Sequence, residues 1–239
     1  MNGVHMSDAC YAVSVEPFYL RAALIFMGLS AHRKALLLSL GLAVAPLAGA
    51  AQFVLTAAET QRVEARQVVI RSSLDSSQRR GTVRAAVRIK APPDLVFRMM
   101  IQCADALEYV PHLRVCRVRD QAPDQSWLVV EHQIDCGWYA PAVNWTFRAD
   151  LVTDRSIRFH QVSGDFKANE GMWELEPTPD GATTLLLYQA YIDPPGFVPN
   201  WLARSTWKRE LPQMLADLRR RCEAAQTIRA AERVPPPGK

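Results

Sequence analysis

The chain has 239 residues, of which 49% are hydrophobic and 22% are charged; these fractions are typical of a globular protein and too apolar for a disordered one. Its 28 Lys and Arg residues face 24 Asp and Glu residues, so the net charge is only +4 and is spread without a basic run, which argues against a dedicated nucleic-acid-binding protein. No internal repeat is visible, and 11 glycines and 16 prolines exclude collagen-like and low-complexity architectures.

Residues 35–51 have the layout of a secretory signal peptide. The basic pair Arg33-Lys34 precedes an apolar stretch that ends in Ala48-Gly49-Ala50, a small-residue cleavage site. Pro46 interrupts this stretch well short of the roughly 20 apolar residues that a spanning helix needs. A cleaved signal peptide is therefore favoured over the alternative, an N-terminal membrane anchor, and we expect an exported, periplasmic protein.

Met27 is the predicted true start of the chain. The sequence from Met27 forms a compact signal peptide, whereas the segment before it carries Asp8 and Glu16, which is untypical of a basic n-region. The predicted organisation is an N-terminal extension plus signal peptide over residues 1–50, a lead-in with one strand over 51–80, the main domain over 81–226 and a disordered tail over 227–239.

The mature chain begins with strand patterns and a helix signal. Val63–Ser72 is rich in Val and Ile and predicts a strand. Thr82–Lys90 alternates apolar and basic residues, as expected for a half-buried strand. Ala91-Pro92-Pro93-Asp94 ends that strand and starts a helix predicted over Leu95–Tyr109, which Pro111 terminates.

Short strands separated by turn signals follow, and then a helix. Because no helix interrupts the strands, they predict an antiparallel meander. The predicted strands are Val115–Asp120, Trp127–Cys136, Val143–Leu151, Ile157–Val162, Gly171–Glu176 and Thr183–Ile192. In the helix predicted over Asn200–Ala225, Leu211, Leu215 and Leu218 recur at helical spacing, and Pro212 predicts a kink or the start of a new segment.

In an oxidising compartment the cysteines are expected to form disulfides. Cys10 falls in the removed segment, and the four that remain allow three pairings. Cys103 and Cys116 are the nearest pair and flank a helix-to-strand passage, so their disulfide is predicted. Cys136 and Cys222 are left open as a second pair or as free thiols. No CxxC motif occurs and no histidine lies at ligand spacing, so no metal site is predicted.

The order of strand, short helices, six-stranded meander and amphipathic helix resembles the START / polyketide-cyclase (Bet v 1-like) superfamily. The segments that carry the resemblance are APPDLVFRMMIQCADALEYVPHLRVCRV at 91–118, EGMWELEPTPDGATTLLLYQAYIDPP at 170–195 and LPQMLADLRRRCE at 211–223. Within the superfamily the chain is most similar to the coenzyme Q-binding START group and to exported bacterial relatives. The resemblance implies an α+β helix-grip fold, in which a curved antiparallel β-sheet wraps around a long C-terminal α-helix.

The resemblance also implies a function. Family members hold lipids, quinones, sterols or polyketides in an internal cavity, so the expected activity is binding or carriage of a hydrophobic small molecule, without a cofactor. The alternative is a polyketide cyclase or dehydratase-like enzyme that uses the same cavity. A non-catalytic binder is favoured because no nucleophile elbow, HExxH motif or glycine-rich phosphate loop is present. Contact with a membrane surface is a further option.

Five residues are predicted to contact this ligand. Trp145 and Phe147 share the sharpest apolar stripe in the chain, and Trp173 lies in the family-like GMWEL segment. His132 is in register with apolar neighbours and should point inward, as a hydrogen-bonded core histidine, a polar handle for the ligand or an acid–base group. Leu215 of the C-terminal helix completes the set. The alternative interpretation of each aromatic residue is that it simply fills the core.

Overall fold

The computed structural model describes residues 53–232. The predictions of the signal peptide, the Met27 start and the last tail residues concern parts of the chain outside this range. The helices are α1 (Ala57–Glu64), α2 (Pro93–Ile101), α3 (Cys103–Tyr109), α4 (Asn200–Ser205) and α5 (Leu211–Glu232), with a π-helical segment, Thr206–Glu210, between the last two. The strands are β1 (Val69–Leu74), β2 (Gly81–Ile89), β3 (Leu113–Gln121), β4 (Trp127–Ile134), β5 (Val143–Val152), β6 (Ser156–Gly164), β7 (Ala168–Pro177) and β8 (Thr184–Asp193).

The eight strands of the described range form one antiparallel sheet, in the order β1-β2-β8-β7-β6-β5-β4-β3. Strands β3 to β8 are sequential neighbours, which confirms the predicted meander, and β2 pairs with β8 at the other end of it. The sheet curves around α5. The α+β helix-grip fold predicted from the sequence is therefore confirmed.

The main core lies between the inner face of the sheet and α5. Leu215 and Leu218 of α5 are each 1% exposed and belong to the same core as Val83 and Val87 of β2 and Leu186 of β8. Alternate residues of a strand point to the same face, so the period-two pattern of β2 supplies one side of this core. The recurring leucines of α5 supply the other side.

The N-terminal segment differs from the prediction, because Val63 lies in a helix. A capping box starts α1: the Thr56 hydroxyl accepts a hydrogen bond from the Glu59 N–H (3.3 Å), and the Glu59 carboxylate accepts one from the Thr56 N–H (2.9 Å). Val63 is the buried residue of this helix and packs with Val69 and Leu187 on the outer face of the sheet. Because only one of the eight residues of α1 is buried, its sequence has no apolar residues at helical spacing. The predicted strand therefore began too early, at Val63.

Two predicted helices are divided in the structure. The stretch predicted as Leu95–Tyr109 breaks at Gln102, whose backbone is extended (φ −88°, ψ 120°), so that α2 and α3 are separate helices. The C-terminal helix starts anew at Leu211, since Pro212 has no N–H to donate and a regular helix does not run through it. Helix α5 then continues to Glu232, so residues 227–232 are helical and the predicted disordered tail is wrong for this part.

Candidate ligand-binding cavity

A largely apolar cavity of about 280 Å³ lies between the inner face of the sheet, helix α3 and helix α5. Strand β4 contributes Leu128 and Val130, and β5 contributes Trp145, Phe147 and Ala149. These positions alternate along each strand, so the apolar stripe of the sequence becomes the cavity wall. The volume is close to the lower end of the range for small-molecule sites, and the apolar lining is typical of them.

His132 and its aromatic neighbours form one end of this wall. His132 and Trp145 are cross-strand partners on β4 and β5, and their ring centroids lie 5.1 Å apart in an edge-on arrangement. The His132 ring meets the Phe147 ring in the same way at 4.9 Å, and Phe147 in turn lies 6.3 Å from Phe159 of β6. Edge-to-face ring pairs of this kind stabilise a protein by more than the apolar area they bury, so these contacts help to fix the positions of the rings in the wall.

The aromatic wall continues onto β7 and β8. Trp173 and Tyr188 are cross-strand partners with ring centroids 4.1 Å apart, and Tyr188 is stacked on Phe159 at 6.4 Å. Trp173, which the sequence predicted to be a ligand contact, thus lines the cavity, as do Trp145, Phe147 and His132. Their role in ligand binding remains a prediction.

The His132 imidazole is neutral near pH 7. Burial lowers the pKa of His132 from its ordinary 6.5 to about 4. Within residues 53–232 no protein group forms a hydrogen bond with this ring, so the interpretation as a hydrogen-bonded core histidine does not describe the geometry. A neutral imidazole carries one donor and one acceptor, and both are available to a molecule in the cavity.

Two tyrosines bring further polar atoms to the cavity. Tyr109 of α3 and Tyr188 of β8 both line it. Burial raises the pKa of both phenols, so each keeps its proton and is a neutral donor and acceptor. Neither hydroxyl has a hydrogen-bond partner among residues 53–232. The polar groups around the apolar wall are therefore mostly uncharged.

The predicted disulfide is present and forms part of the wall. Cys103, the first residue of α3, is bonded to Cys116 of β3, with the two Cα atoms 5.2 Å apart, and both cysteines line the cavity. Cys136 and Cys222 are free thiols rather than a second pair. Burial raises the pKa of Cys222 to about 12, and its Sγ atom lies 3.5 Å from Met99 Sδ, so this thiol is a packed core group.

Leu215 does not line the cavity, which corrects the prediction for this residue. Its neighbours Leu211, Met214 and Leu218 border the cavity, whereas Leu215 is enclosed by packed side chains of the core. The apolar stripe of α5 is wider than the cavity that it borders. Helical spacing alone therefore does not distinguish the residues that line the cavity from those that pack in the core. Leu215 is a core residue.

The π-helical segment borders both the first cavity and a second one of about 330 Å³. Thr206, Trp207 and Glu210 line both cavities. The Leu211 N–H bonds to the Thr206 carbonyl five residues back, and this wider turn is often found at functional sites. The Thr206 hydroxyl lies 3.3 Å from the Glu210 carboxylate, while the buried Trp207 Nε1 has no acceptor within residues 53–232.

An exposed aromatic cluster stands beside the second cavity. It consists of Trp138 and Tyr139, in a short 3₁₀ turn before β5, and Trp201 of α4. Trp138 is 87% exposed and Trp201 48%, and the ring centroid of Tyr139 lies 4.3 Å from that of Trp138 and 4.8 Å from that of Trp201. Tyr139 also lines the second cavity, so the cluster marks the outer border of this space.

Two further features bear on the class of site. Across residues 53–232, no group of three or more His, Cys, Asp or Glu side chains is placed to hold a metal ion. No helix of that same range combines the length and the apolar character that crossing a bilayer requires.

Comparison with known proteins identifies the family. A search of curated proteins finds no matching sequence. The profile of the family described as polyketide cyclase / dehydrase and lipid transport matches residues 89–219, more than half of the chain. The chain belongs to this family. The matched range contains every residue that lines either of the two cavities.

Solved structures share the fold of this polyketide cyclase / lipid transport family member. A STAR-related lipid transfer protein from Xanthomonas axonopodis is 16% identical with a TM-score of 0.55, over 65% of this chain and 93% of that one. The Zhui aromatase/cyclase from a Streptomyces species is 18% identical (TM-score 0.50; 63% and 96% covered), and the lipid transfer and protein localization domain of human StarD13 is 15% identical (TM-score 0.50; 71% and 98% covered). At such identities the likeness shows the fold alone.

Sequence reasoning missed part of the cavity of this family member. Tyr188 continues the alternation of β8 and could have been found by extending the period-two argument to that strand. Tyr109 lies in a short helix with no clear period, and Thr206 and Glu210 face the cavity only because of the π-helical turn. Nothing in the local sequence signals that turn.

Proposed function

We propose that this member of the polyketide cyclase / lipid transport family binds and carries a hydrophobic small molecule in the 280 Å³ cavity. The observation that carries the proposal is the continuous aromatic wall from His132 to Trp173 around a space that the protein does not fill. Protein interiors are otherwise packed as densely as organic crystals, so a space of this size inside a core calls for a ligand. Lipids, quinones and polyketide-like molecules, including a coenzyme Q-type quinone, are the classes to test.

A polyketide cyclase or dehydratase-like enzyme is the second candidate, and the name of the structurally similar aromatase/cyclase favours it. A general acid or base works best when its pKa is near the working pH. The pKa of His132 is about 4, and no carboxylate orients its ring among the described residues. These two observations favour a binder over an enzyme.

The envelope is the proposed location of this activity. Support comes from the signal-like layout of residues 35–51 and from the Cys103–Cys116 disulfide, since such bonds persist in oxidising compartments. The N-terminal sequence of the protein purified from its host tests the proposal. We expect it to begin just after Ala50, and a protein recovered with its disulfide reduced and residues 35–51 attached in the cytosol would contradict it.

Filling the cavity tests the binding function directly. Ala149 lies on β5 with its side chain at the cavity wall, between cross-strand partners Leu128 and Phe159. Ala149→Phe should occupy the space that the ligand needs and abolish binding of an apolar fluorescent probe. Because the new ring enters open volume, the free energy of unfolding should change by less than about 1 kcal/mol, below the usual cost of overpacking.

Val152→Phe is the matched control, because it adds the same ring on the same strand at a position that is 58% exposed. This variant should bind the probe as the unchanged protein does. Destabilisation of Ala149→Phe by about 1–3 kcal/mol or more, together with no probe binding by the unchanged protein, would mean a solid core and would contradict the proposal.

We also propose that the exposed aromatic cluster contacts a lipid bilayer. Trp and Tyr rings are favoured at the membrane–water boundary, where one part of the ring is apolar and another can hydrogen-bond. Trp138, Tyr139 and Trp201 form such a surface beside the second cavity, so an apolar ligand that leaves there would pass into lipid rather than water.

Vesicle sedimentation tests this contact. The double variant Trp138→Ala/Trp201→Ala should lose binding to phosphatidylcholine vesicles and should keep its affinity for a soluble probe. Tyr191→Ala is the control, since Tyr191 is an exposed aromatic residue on β8 outside both cavity walls. Equal sedimentation of the two variants would contradict the proposed contact.

A further inference from the structure

The charges around the first cavity are unevenly distributed. Among the described residues that line it there is no Lys or Arg, and the carboxylate of Glu210 is the one charged group. His132, Tyr109 and Tyr188 contribute only neutral polar atoms, because burial keeps the imidazole unprotonated and the phenols protonated. An anion that entered this cavity would therefore leave water without meeting a positive partner.

Glu210 is itself available to act on a ligand. It is half-buried on the π-helical segment, and within residues 53–232 its hydrogen-bond partner is the hydroxyl of Thr206, with no Lys or Arg paired to it. Arg114, the arginine that lines the second cavity, is engaged by Asp135 at 3.2 Å. The negative charge at the junction of the two cavities is thus not neutralised by the protein.

We infer, on the basis of the proposed binding function, that the cavity excludes anions and takes a ligand with a hydrogen-bonding oxygen: Glu210 rejects anions at the junction, and His132 holds the oxygen. Burying an unpaired carboxylate or phosphate is strongly unfavourable, and a like charge nearby makes it more so. The free donor and acceptor of His132 suit a hydroxyl or carbonyl group at the end of the aromatic wall. The ligand is then an alcohol, ketone or quinone rather than a fatty acid or phospholipid headgroup.

Three probes with the same ten-carbon chain separate the charge states. At pH 8 decanol is neutral, decanoate is an anion and decylamine is a cation. Displacement of a bound fluorescent dye should show decanol binding at least about tenfold more tightly than decanoate. Equal affinities for decanol and decanoate would overturn the inference and leave the proposed function standing. Binding of decylamine as weak as that of decanoate would do the same, because the ammonium group can pair with Glu210 whereas the carboxylate cannot. Displacement by none of the probes would overturn both.

Glu210→Gln tests the origin of the selectivity. This variant keeps the shape and the hydrogen bond to Thr206 but removes the charge, so the ratio of decanol to decanoate affinity should fall about tenfold. Glu170→Gln removes the same charge from an exposed position of β7 outside the cavity and should keep the ratio of the unchanged protein. An unchanged ratio in Glu210→Gln would overturn the role of this carboxylate.

His132 is tested by a pair of variants. His132→Leu should weaken decanol binding about three- to tenfold, the effect of one lost hydrogen bond, and should leave 1-chlorodecane, which lacks the oxygen, unaffected. His132→Gln retains a donor and an acceptor and should restore most of the decanol affinity. Equal losses for both probes, or no rescue by Gln, would mean that His132 only shapes the wall and would overturn its assigned role.

Discussion

The protonation state of His132 is determined by the apolar surroundings of its ring. Its ring is held between Trp145 and Phe147 on a wall that contains no carboxylate partner within the described residues, so nothing compensates for the loss of water around a protonated imidazole. Desolvation disfavours the charged form, and this is the cause of its lowered pKa. A neutral imidazole is useful for recognition because it offers both a donor and an acceptor.

This shift predicts a pH-dependent stability. The pKa is about 4 in the folded protein and 6.5 when the residue is exposed, so on acidification the unfolded chain takes up the proton first. Stability should therefore fall as the pH drops from about 7 toward 4 and level off below that. The titration of His132 should make the free energy of unfolding about 2 kcal/mol lower at pH 5 than at pH 7, a difference that denaturant unfolding can measure.

His132→Gln removes this titration, so its curve of unfolding free energy against pH should be flatter than that of the unchanged protein by the same amount. His160→Gln, which removes an exposed histidine of β6, is the matched control and should follow the unchanged protein. Parallel curves for the unchanged protein and His132→Gln would show that the folded cavity accepts the charge.

At the scale of elements, neighbouring residues of α5 have two roles, since some border the cavity and one packs in the core. Leu211, Met214 and Leu218 border the cavity, while Leu215 is buried entirely in the core against the sheet. The π-helical segment before α5 turns Glu210 toward the same space. Docking of α5 therefore supports the cavity wall, and the packing of Leu215 is separable from ligand contact.

Leu215→Ala tests this docking. Removing a fully enclosed leucine side chain should lower the free energy of unfolding by about 2–5 kcal/mol, as measured by urea denaturation. Gln213→Ala, at an exposed position two residues earlier on α5, should change it by less than about 0.5 kcal/mol. A Leu215→Ala effect as small as that of the control would mean that α5 is not docked on the sheet.

For the molecule as a whole, two links connect the helices to the sheet near its opposite edges. At one edge, the Cys103–Cys116 bond joins α3 to β3, the last strand of the sheet order. Near the other edge, Arg66, which follows α1, forms a 2.5 Å ion pair with Glu223 of α5. The covalent tie is the stronger of the two, since partly exposed ion pairs contribute little.

The double variant Cys103→Ser/Cys116→Ser should lose about 2–4 kcal/mol of unfolding free energy, the usual contribution of a disulfide that closes a short loop. The separation of 13 residues places this bond in that class. Denaturant unfolding with and without a reducing agent measures the effect: the reductant should destabilise the unchanged protein and leave the double variant as it is. Cys136→Ser, which removes a free thiol, is the control and should retain the response to the reductant.

The local pattern of the sequence was sufficient for the six-stranded meander and for much of the cavity wall. Alternation in β4 and β5 placed His132, Trp145 and Phe147 on the inner face, and the spacing of two cysteines at a helix-to-strand passage predicted the disulfide that the structure contains. These features depend on the two-residue repeat of side-chain direction in a strand and on residues close together in the chain. Both can be identified from short stretches of sequence.

Tertiary structure alone decided which inward residues meet the cavity and which meet packed side chains. Leu215 and Leu218 have the same helical signal, yet only Leu218 borders the cavity. Glu210, which sequence reasoning passed over, faces the cavity through a π-helical turn, and α1 owes its single buried contact, Val63, to the outer face of the sheet. The physical reason is that a cavity is a gap between elements: periodicity determines the direction of a side chain, whereas the distance to the opposite wall depends on how distant segments pack.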